Sequence, residues 1–407
     1  MSYISFIVPS VLLFIVYFTS GQKSDPPFIA PNDYYSLSLS NRELIERAGY
    51  NYEFHEAVTD DGYLVGLHRI MRRDRPSKGH PVLLVNGFCI RSRSWILRGK
   101  GIDFPFILAD HGYDVWLGDQ RGNPYSRKHL KYSFTDSEYW NFSFHEIGSY
   151  DLPAMINQVL NVSSKEKLSY VGQSLGSSFY FAMMSEREEF NRKVASSVHF
   201  APLVIPPNAS ELTILHRVLL QILSYLLKWL RSENVIESHN KYFMRIVALA
   251  LMKVCDRSPL QTLCVISLPW IVGGSMDHFD QEHLGFQMGA SIGLTSFKTG
   301  DHMIQMYFSG KFRKYDYGME ENLKLYGCAE PAAYNISKVS SPTALFIAEQ
   351  DALVPYHVSR KTVDALGRYA YPFLMKGFNH FEMALGRRAV KTGYIKALNF
   401  INKVFIF

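Results

Sequence analysis

Lys167-Leu168-Ser169-Tyr170-Val171-Gly172-Gln173-Ser174-Leu175-Gly176 is the stretch whose reading decides the fold. A short apolar run of strand length ends on glycine, a serine stands between small residues, and a helix-like run from Ser178 to Glu186 follows. Strand, sharp turn and helix in that order make Gly172-Gln173-Ser174-Leu175-Gly176 a nucleophile elbow. Small residues are needed at 172 and 176 because the serine occupies a strained turn across which strand and helix approach closely. The bland alternative is a structural Gly-Ser loop.

Outward from the elbow the same rhythm repeats. Pro81 to Val85, Tyr113 to Leu117, Lys167 to Gly172, Ser197 to Ala201, Thr343 to Ala348 and Tyr371 to Met375 read as strands. Each is too short and too apolar for an exposed antiparallel edge, and helix-like segments alternate with them. That alternation predicts an α/β fold, a mostly parallel sheet with flanking helices. From Pro206 to about Cys328 the rhythm breaks into helical patterns, and it resumes at Thr343. The predicted organisation is therefore a leader at 1–21, a first core part at 22–205, an inserted helical cap at 206–328 and a second core part at 329–407.

An elbow serine needs a base and an orienting carboxylate, which in this architecture follow in the order Ser, Asp, His. Asp351 comes just after the strand-like Thr343 to Ala348, and His380 lies beyond the next strand in Gly377-Phe378-Asn379-His380-Phe381-Glu382. Both then sit on loops at the carboxyl edge of the sheet, beside Ser174. Ser174 would attack, His380 would take its proton, and Asp351 would hold the imidazole tautomer. Glu349 and Glu382 stay open as alternative orienters. For the oxyanion of the tetrahedral intermediate the expected donors are the backbone N–H groups of Leu175 and Phe88. Phe88 belongs to Asn86-Gly87-Phe88, directly after the strand Pro81 to Val85; a plain turn is the alternative there.

Composition sets the outer limits. The chain of 407 residues is 47% hydrophobic, 14% aromatic and 20% charged, enough for a large core, and no repeat or low-complexity tract interrupts it. Its formal charge of +6 is spread rather than gathered in an arm or stripe, which argues against nucleic acid. The densest basic stretch, Arg72 to Lys100, reads as a solvated face, or as a face drawn to anionic lipid. Ile4 to Phe18 is nearly all apolar and meets Thr19-Ser20-Gly21, a signal-peptide pattern lacking the positive n-region, with a retained anchor as the alternative. Sequons at Asn141, Asn161, Asn208 and Asn335 fit a secretory route to a lysosomal or extracellular destination. The four cysteines, Cys89, Cys255, Cys264 and Cys328, show no metal-ligand spacing, and the chemistry calls for no cofactor and no metal. Cys255 and Cys264 would close a short loop if bridged; buried free thiols are the alternative.

Beyond these features the chain resembles the acid lipases, the group of the α/β-hydrolases that contains gastric and lysosomal acid lipases. The resemblance covers almost the whole chain. It rests on Val58-Thr59-Asp60-Asp61-Gly62-Tyr63, Gly112-Tyr113-Asp114-Val115-Trp116-Leu117-Gly118, Arg121-Gly122-Asn123 with Ser126-Arg127-Lys128-His129, Phe142-Ser143-Phe144-His145-Glu146 with Tyr150-Asp151-Leu152-Pro153, and Gly310-Lys311-Phe312 with Tyr315-Asp316-Tyr317-Gly318. It implies hydrolysis of triacylglycerol or cholesteryl ester beneath an inserted cap, with Cys255 and Cys264 bridged. Two departures stand out. The family's His-Gly-Leu is Asn86-Gly87-Phe88 here, and its Gly-His-Ser-Gln-Gly is Gly172-Gln173-Ser174-Leu175-Gly176. Backbone amides survive both changes, whereas the side chains around the acyl pocket do not.

Three readings follow: a lipase working at a lipid–water interface, an esterase for small soluble esters, and a noncatalytic lipid-binding protein on the same fold. Leu212 to Leu230 carries a wide apolar stripe at helical spacing, which suits either a buried cap helix or a lipid-facing one.

Overall fold

The computed structural model describes residues 39–74, 79–232, 240–256 and 259–405. The apolar stretch read as a leader lies outside the described residues.

Two strands that the search for apolar runs passed over open the sheet, β1 (Tyr50–Val58) and β2 (Tyr63–Arg72), paired antiparallel in register from Tyr50 opposite Arg72 to Val58 opposite Leu64. The alternation Tyr50-Asn51-Tyr52-Glu53-Phe54 is that of a half-covered hairpin, not of a buried parallel strand. Then come β3 (Pro81–Val85), β4 (Asp114–Asp119), the two-residue β5 (Lys128–His129), β6 (Leu168–Gln173), β7 (Val194–Phe200), β8 (Thr343–Ala348) and β9 (Ala370–Met375). The spatial order is β1-β2-β4-β3-β6-β7-β8-β9, with β5 on β2. From β4 through β9 every pairing is parallel. All six expected strands are present within a few residues of their expected ends. One differs in setting: β9 is the outer edge of the sheet, with Tyr371 and Leu374 exposed.

Side chains alternate across the central strands, so each strand feeds two cores. Leu83, Val85, Trp116 and Tyr170 pack on one face with α3 (Leu152–Ser163), α4 (Leu175–Glu186) and α11 (Tyr356–Leu366). Val82, Leu84, Val115 and Val171 pack on the other with α1 (Asn41–Arg47), α2 (Phe104–Asp110) and α12 (Ile395–Phe405). Burial on both faces explains why these strands read as unbroken apolar runs.

Between β7 and β8 run α5 (Ile214–Ser232), α6 (Asn240–Cys255), α7 (Gln261–Val272), α8 (Leu284–Ser291), α9 (Phe297–Ser309) and α10 (Met319–Tyr326), with no strand of the sheet among the described residues. Cys255 and Cys264 are bridged, joining the end of α6 to α7, while Cys89 and Cys328 are free. A sequence separation of 9 limits the entropic gain. Replacing both bridged cysteines by alanine should cost at most about 3 kcal/mol in denaturant melts. A larger loss would mean that the bridge holds the helical segment together rather than stapling one corner of it.

The apolar stripe on α5 is divided. Leu220, Leu223 and Leu227 pack with Phe297 and Ile304 of α9. Ile214, Leu215, Val218, Leu219, Ile222 and Trp229 remain exposed, as do Leu263, Ile266, Trp270 and Ile271 on α7. No described helix is long and apolar enough to cross a membrane.

Candidate active site

Ser174 joins β6 to α4 with φ 51° and ψ −121°, a left-handed conformation that disfavours any side chain. Its surroundings enforce the turn. The Ser174 N–H donates to the Phe200 carbonyl at 3.0 Å, and the Ser174 carbonyl accepts from Ser177 N–H at 2.9 Å. A β-carbon on Gly172 would come within 2.9 Å of Tyr170 Cε1, and one on Gly176 within 2.6 Å of the Val85 carbonyl oxygen. Only glycine fits at either place, as the elbow reading requires.

Three parallel strands deliver the rest of the site at their carboxyl ends. Asp351, three residues past the end of β8, accepts the Leu353 and Val354 amides on Oδ1, each at 2.9 Å. Its Oδ2 lies 2.7 Å from His380 Nδ1, and His380 Nε2 lies 2.9 Å from Ser174 Oγ. His380 and Asp351 are 3% and 6% exposed, while Ser174 is half-buried, so the relay runs from a dry interior to an accessible hydroxyl. Neither alternative orienter competes: Glu382 is paired with Arg388, and Glu349 accepts the Gly377 amide. His199 and His302 are fully buried, which pushes each imidazole down to about 3 and keeps it neutral.

Asn86-Gly87-Phe88 follows β3 and lies against the elbow. A β-carbon on Gly87 would stand 2.8 Å from the Leu175 nitrogen and 3.2 Å from Ser174 Cβ. Leu175 is the first residue of α4, so its N–H has no intrahelical acceptor. The Phe88 N–H likewise makes no hydrogen bond among the described residues.

Sequence reading missed two sets of residues here. One is Gln120, just after β4, whose Nε2 donates to the Gly87 carbonyl at 3.1 Å; an isolated glutamine carries no pattern. The other lies at the end of α7. The Val272 carbonyl accepts from both Ala352 N–H, at 3.2 Å, and His380 N–H, at 3.3 Å. Asn379 Nδ2 donates to the Ser275 carbonyl at 3.0 Å. A β-carbon on Gly273 would come within 1.8 Å of the Gln350 carbonyl oxygen, so the strap 272–275 threads between the two loops where nothing larger fits. The Gly273-Gly274 pair was the one visible signal. A second such contact holds the loop after Phe88: Arg91 N–H donates to Ser291 at 3.0 Å, and Gly293 N–H to Cys89 at 2.7 Å.

The motif stretches 58–63, 121–123 and 150–153 meet in one buried cluster. Arg121 binds Asp61 on one side, at 2.6 Å, and Asp151 on the other, also at 2.6 Å. Burial alone would raise the Asp61 carboxyl, but its hydrogen bonds and attraction to Arg121 outweigh that and hold it below the usual carboxylate range.

The profile of the alpha/beta hydrolase fold matches residues 80–383, and that of the partial alpha/beta-hydrolase lipase region matches residues 41–99. Lipase 1 of Drosophila melanogaster is 33% identical across 90% of this chain and 80% of its own length. Gastric triacylglycerol lipase of Homo sapiens is 28% identical across 90% of this chain and 92% of its own. Among solved structures, a hypothetical protein of Pseudomonas aeruginosa superposes with a TM-score of 0.54 at 9% identity, covering 93% of this chain and 99% of that one, a likeness of fold alone. Sheet order, elbow, profile and relatives agree: the chain belongs to the lipase family of the α/β-hydrolases.

Proposed function

We propose that this chain hydrolyses carboxyl esters of lipids, triacylglycerol or cholesteryl ester, with Ser174 as nucleophile, His380 as general base and acid, and Asp351 as its orienter. The hydrogen-bonded relay Asp351–His380–Ser174 is the observation that carries this reading. Ser174 Oγ attacks the ester carbonyl as His380 Nε2 takes its proton, and the oxyanion rests on the N–H groups of Phe88 and Leu175. Collapse expels the alcohol, protonated by His380, and leaves an acyl-serine. Water, activated by the same imidazole, then releases the fatty acid.

The helical segment 206–328 is read as the cap, and its exposed apolar face on α5 and α7 as the surface that meets lipid. Each Å² of that face moved out of water contributes about 25 cal/mol. A small-ester esterase has no use for such a surface. The cap also reaches the loop after β3: a β-carbon on Gly300 of α9 would stand 3.2 Å from Leu227 Cδ1 of α5 and 3.5 Å from the Phe88 ring. Hydrolysis of a partly soluble ester should therefore rise sharply as its concentration passes the solubility limit. A Val218→Glu, Ile222→Glu chain, altered only on the exposed side of α5, should lose most of that rise and keep its activity on dissolved ester. A smooth saturation curve in the wild type would favour the soluble-ester reading.

A secretory route to the lysosome or the cell exterior fits the Cys255–Cys264 bridge and the sequons. Of the sequons, Asn335 suits a glycan best. It is exposed, and the Ser337 hydroxyl is turned onto its own Oδ1 at 2.6 Å. Asn208 makes the same turn with Ser210 but is half-buried. At Asn141 and Asn161 the serine hydroxyls are engaged elsewhere, by Glu146 and the Val159 carbonyl.

A further inference from the structure

We infer that Gln120 is a positioning residue for catalysis, fixing the direction of the Phe88 N–H through the Gly87–Phe88 peptide; this rests on the proposal that Phe88 is an oxyanion donor. Gln120 is 1% exposed and stands at the carboxyl end of β4, beside the loop that follows β3. Its Nε2 donates to the Gly87 carbonyl at 3.1 Å and reaches the Ile90 carbonyl at 3.4 Å. Both neighbours are carbonyl oxygens, so the side chain can meet them only with its nitrogen. Its Oε1 is buried and makes no hydrogen bond among the described residues.

Peptide planarity turns that hydrogen bond into an aiming device. In a trans peptide the C=O and N–H lie in one plane and point in opposite directions. Anchoring the Gly87 oxygen on Gln120 therefore sets where the Phe88 N–H points. The peptide itself is wedged against the elbow, because the Gly87 α-carbon leaves no room for a β-carbon beside the Leu175 nitrogen.

Gln120 is itself immobilised from both sides. Asp119 accepts the Ser92 N–H at 2.8 Å, the Ser92 hydroxyl at 2.6 Å and lies 3.1 Å from His68 Nε2. Arg121 ties its backbone N–H to Asp151 at 2.9 Å, in addition to its two ion pairs. The oxyanion loop thus rests on a rigid post made of three consecutive residues.

The test uses Gln120→Met, of similar length but without a donor, and Gln120→Leu, which also lacks any donor and fills the buried site with a branched apolar chain. Readouts are kcat and KM on a soluble p-nitrophenyl ester, the affinity of a trifluoromethyl ketone that forms a tetrahedral oxyanion on serine, and the melting temperature. Both variants should lose about 10–100-fold in kcat, part of the ~10²–10³-fold that losing an oxyanion donor costs. KM should stay within about threefold, and ketone affinity should fall by the same factor as kcat/KM. A merely structural role would not produce that proportionality. Should Gln120→Met fail to fold, Gln120→Leu still decides. Unchanged kcat in a folded variant, or a fall in kcat with ketone affinity intact, overturns the role of Gln120. If the wild type binds the trifluoromethyl ketone no more tightly than the plain methyl ketone, the oxyanion reading itself fails.

Discussion

Replacing Ser174 with alanine is expected to abolish covalent labelling by a fluorophosphonate probe and to lower ester hydrolysis about 10⁵–10⁶-fold, with no loss of folding. The effect is large because the proposed mechanism forms the acyl bond on the hydroxyl oxygen, and among the described residues His380 Nε2 has no other hydrogen-bond partner. Cys89, next to the oxyanion loop, is partly exposed as a residue, yet its sulfur is enclosed and burial pushes the thiol up to about 12, so it stays protonated. Folding should survive because alanine needs no more space than serine, and the contacts that force the turn are made by the backbone and by Gly172 and Gly176. Gel-based labelling, ester assay and thermal melting on one preparation check all three parts. A folded wild type that takes up no probe would instead support the noncatalytic lipid-binding reading.

Asp351→Asn is expected to reduce kcat about 10⁴-fold while leaving the loop in place. Asp351 Oδ1 accepts two backbone amides, from Leu353 and Val354, and an asparagine carbonyl oxygen can do the same. Its NH₂ then occupies the position of Oδ2, 2.7 Å from His380 Nδ1. A donor there obliges Nδ1 to accept, which puts the ring proton on Nε2 and blocks it from taking the Ser174 proton. His380→Ala removes the base altogether. The His380→Ala, Asp351→Asn double variant should then be little worse than His380→Ala alone, since the orienter has nothing left to orient. Steady-state rates on one soluble ester suffice, and losses that multiply would show that Asp351 acts on something other than His380.

The juxtaposition of Ser174, His380 and Asp351 was legible because each follows the carboxyl end of a strand in a parallel sheet, where topology alone gathers side chains at one edge. Choosing Asp351 over Glu349 and Glu382 needed coordinates, since all three lie near the same edge and only their partners separate them. The β1–β2 hairpin escaped because its alternation is that of a half-exposed ribbon, and a search for continuous apolar runs discards such patterns. α5 was ambiguous for a physical reason: its stripe is wider than one contact face, so periodicity gives a helix without saying which part of the stripe is covered. Gln120 and the strap 272–275 act through contacts distant in sequence, about which local pattern is silent.

That strap bears on how this enzyme can change over time or in the laboratory. Val272, Ser275, Ser291 and Gly293 lie within the helical segment between β7 and β8, yet their backbone groups hold the loops that carry Asp351, His380 and Phe88. Insertion and active centre are therefore not separable modules. A graft that swapped residues 206–328 wholesale for those of a relative, to import its substrate range, would also exchange the supports of the triad. Deleting residues 206–328 should likewise disarrange those loops. The exposed side chains of α5 and α7 make none of these backbone contacts, so diversification should concentrate there while the inner seam stays fixed.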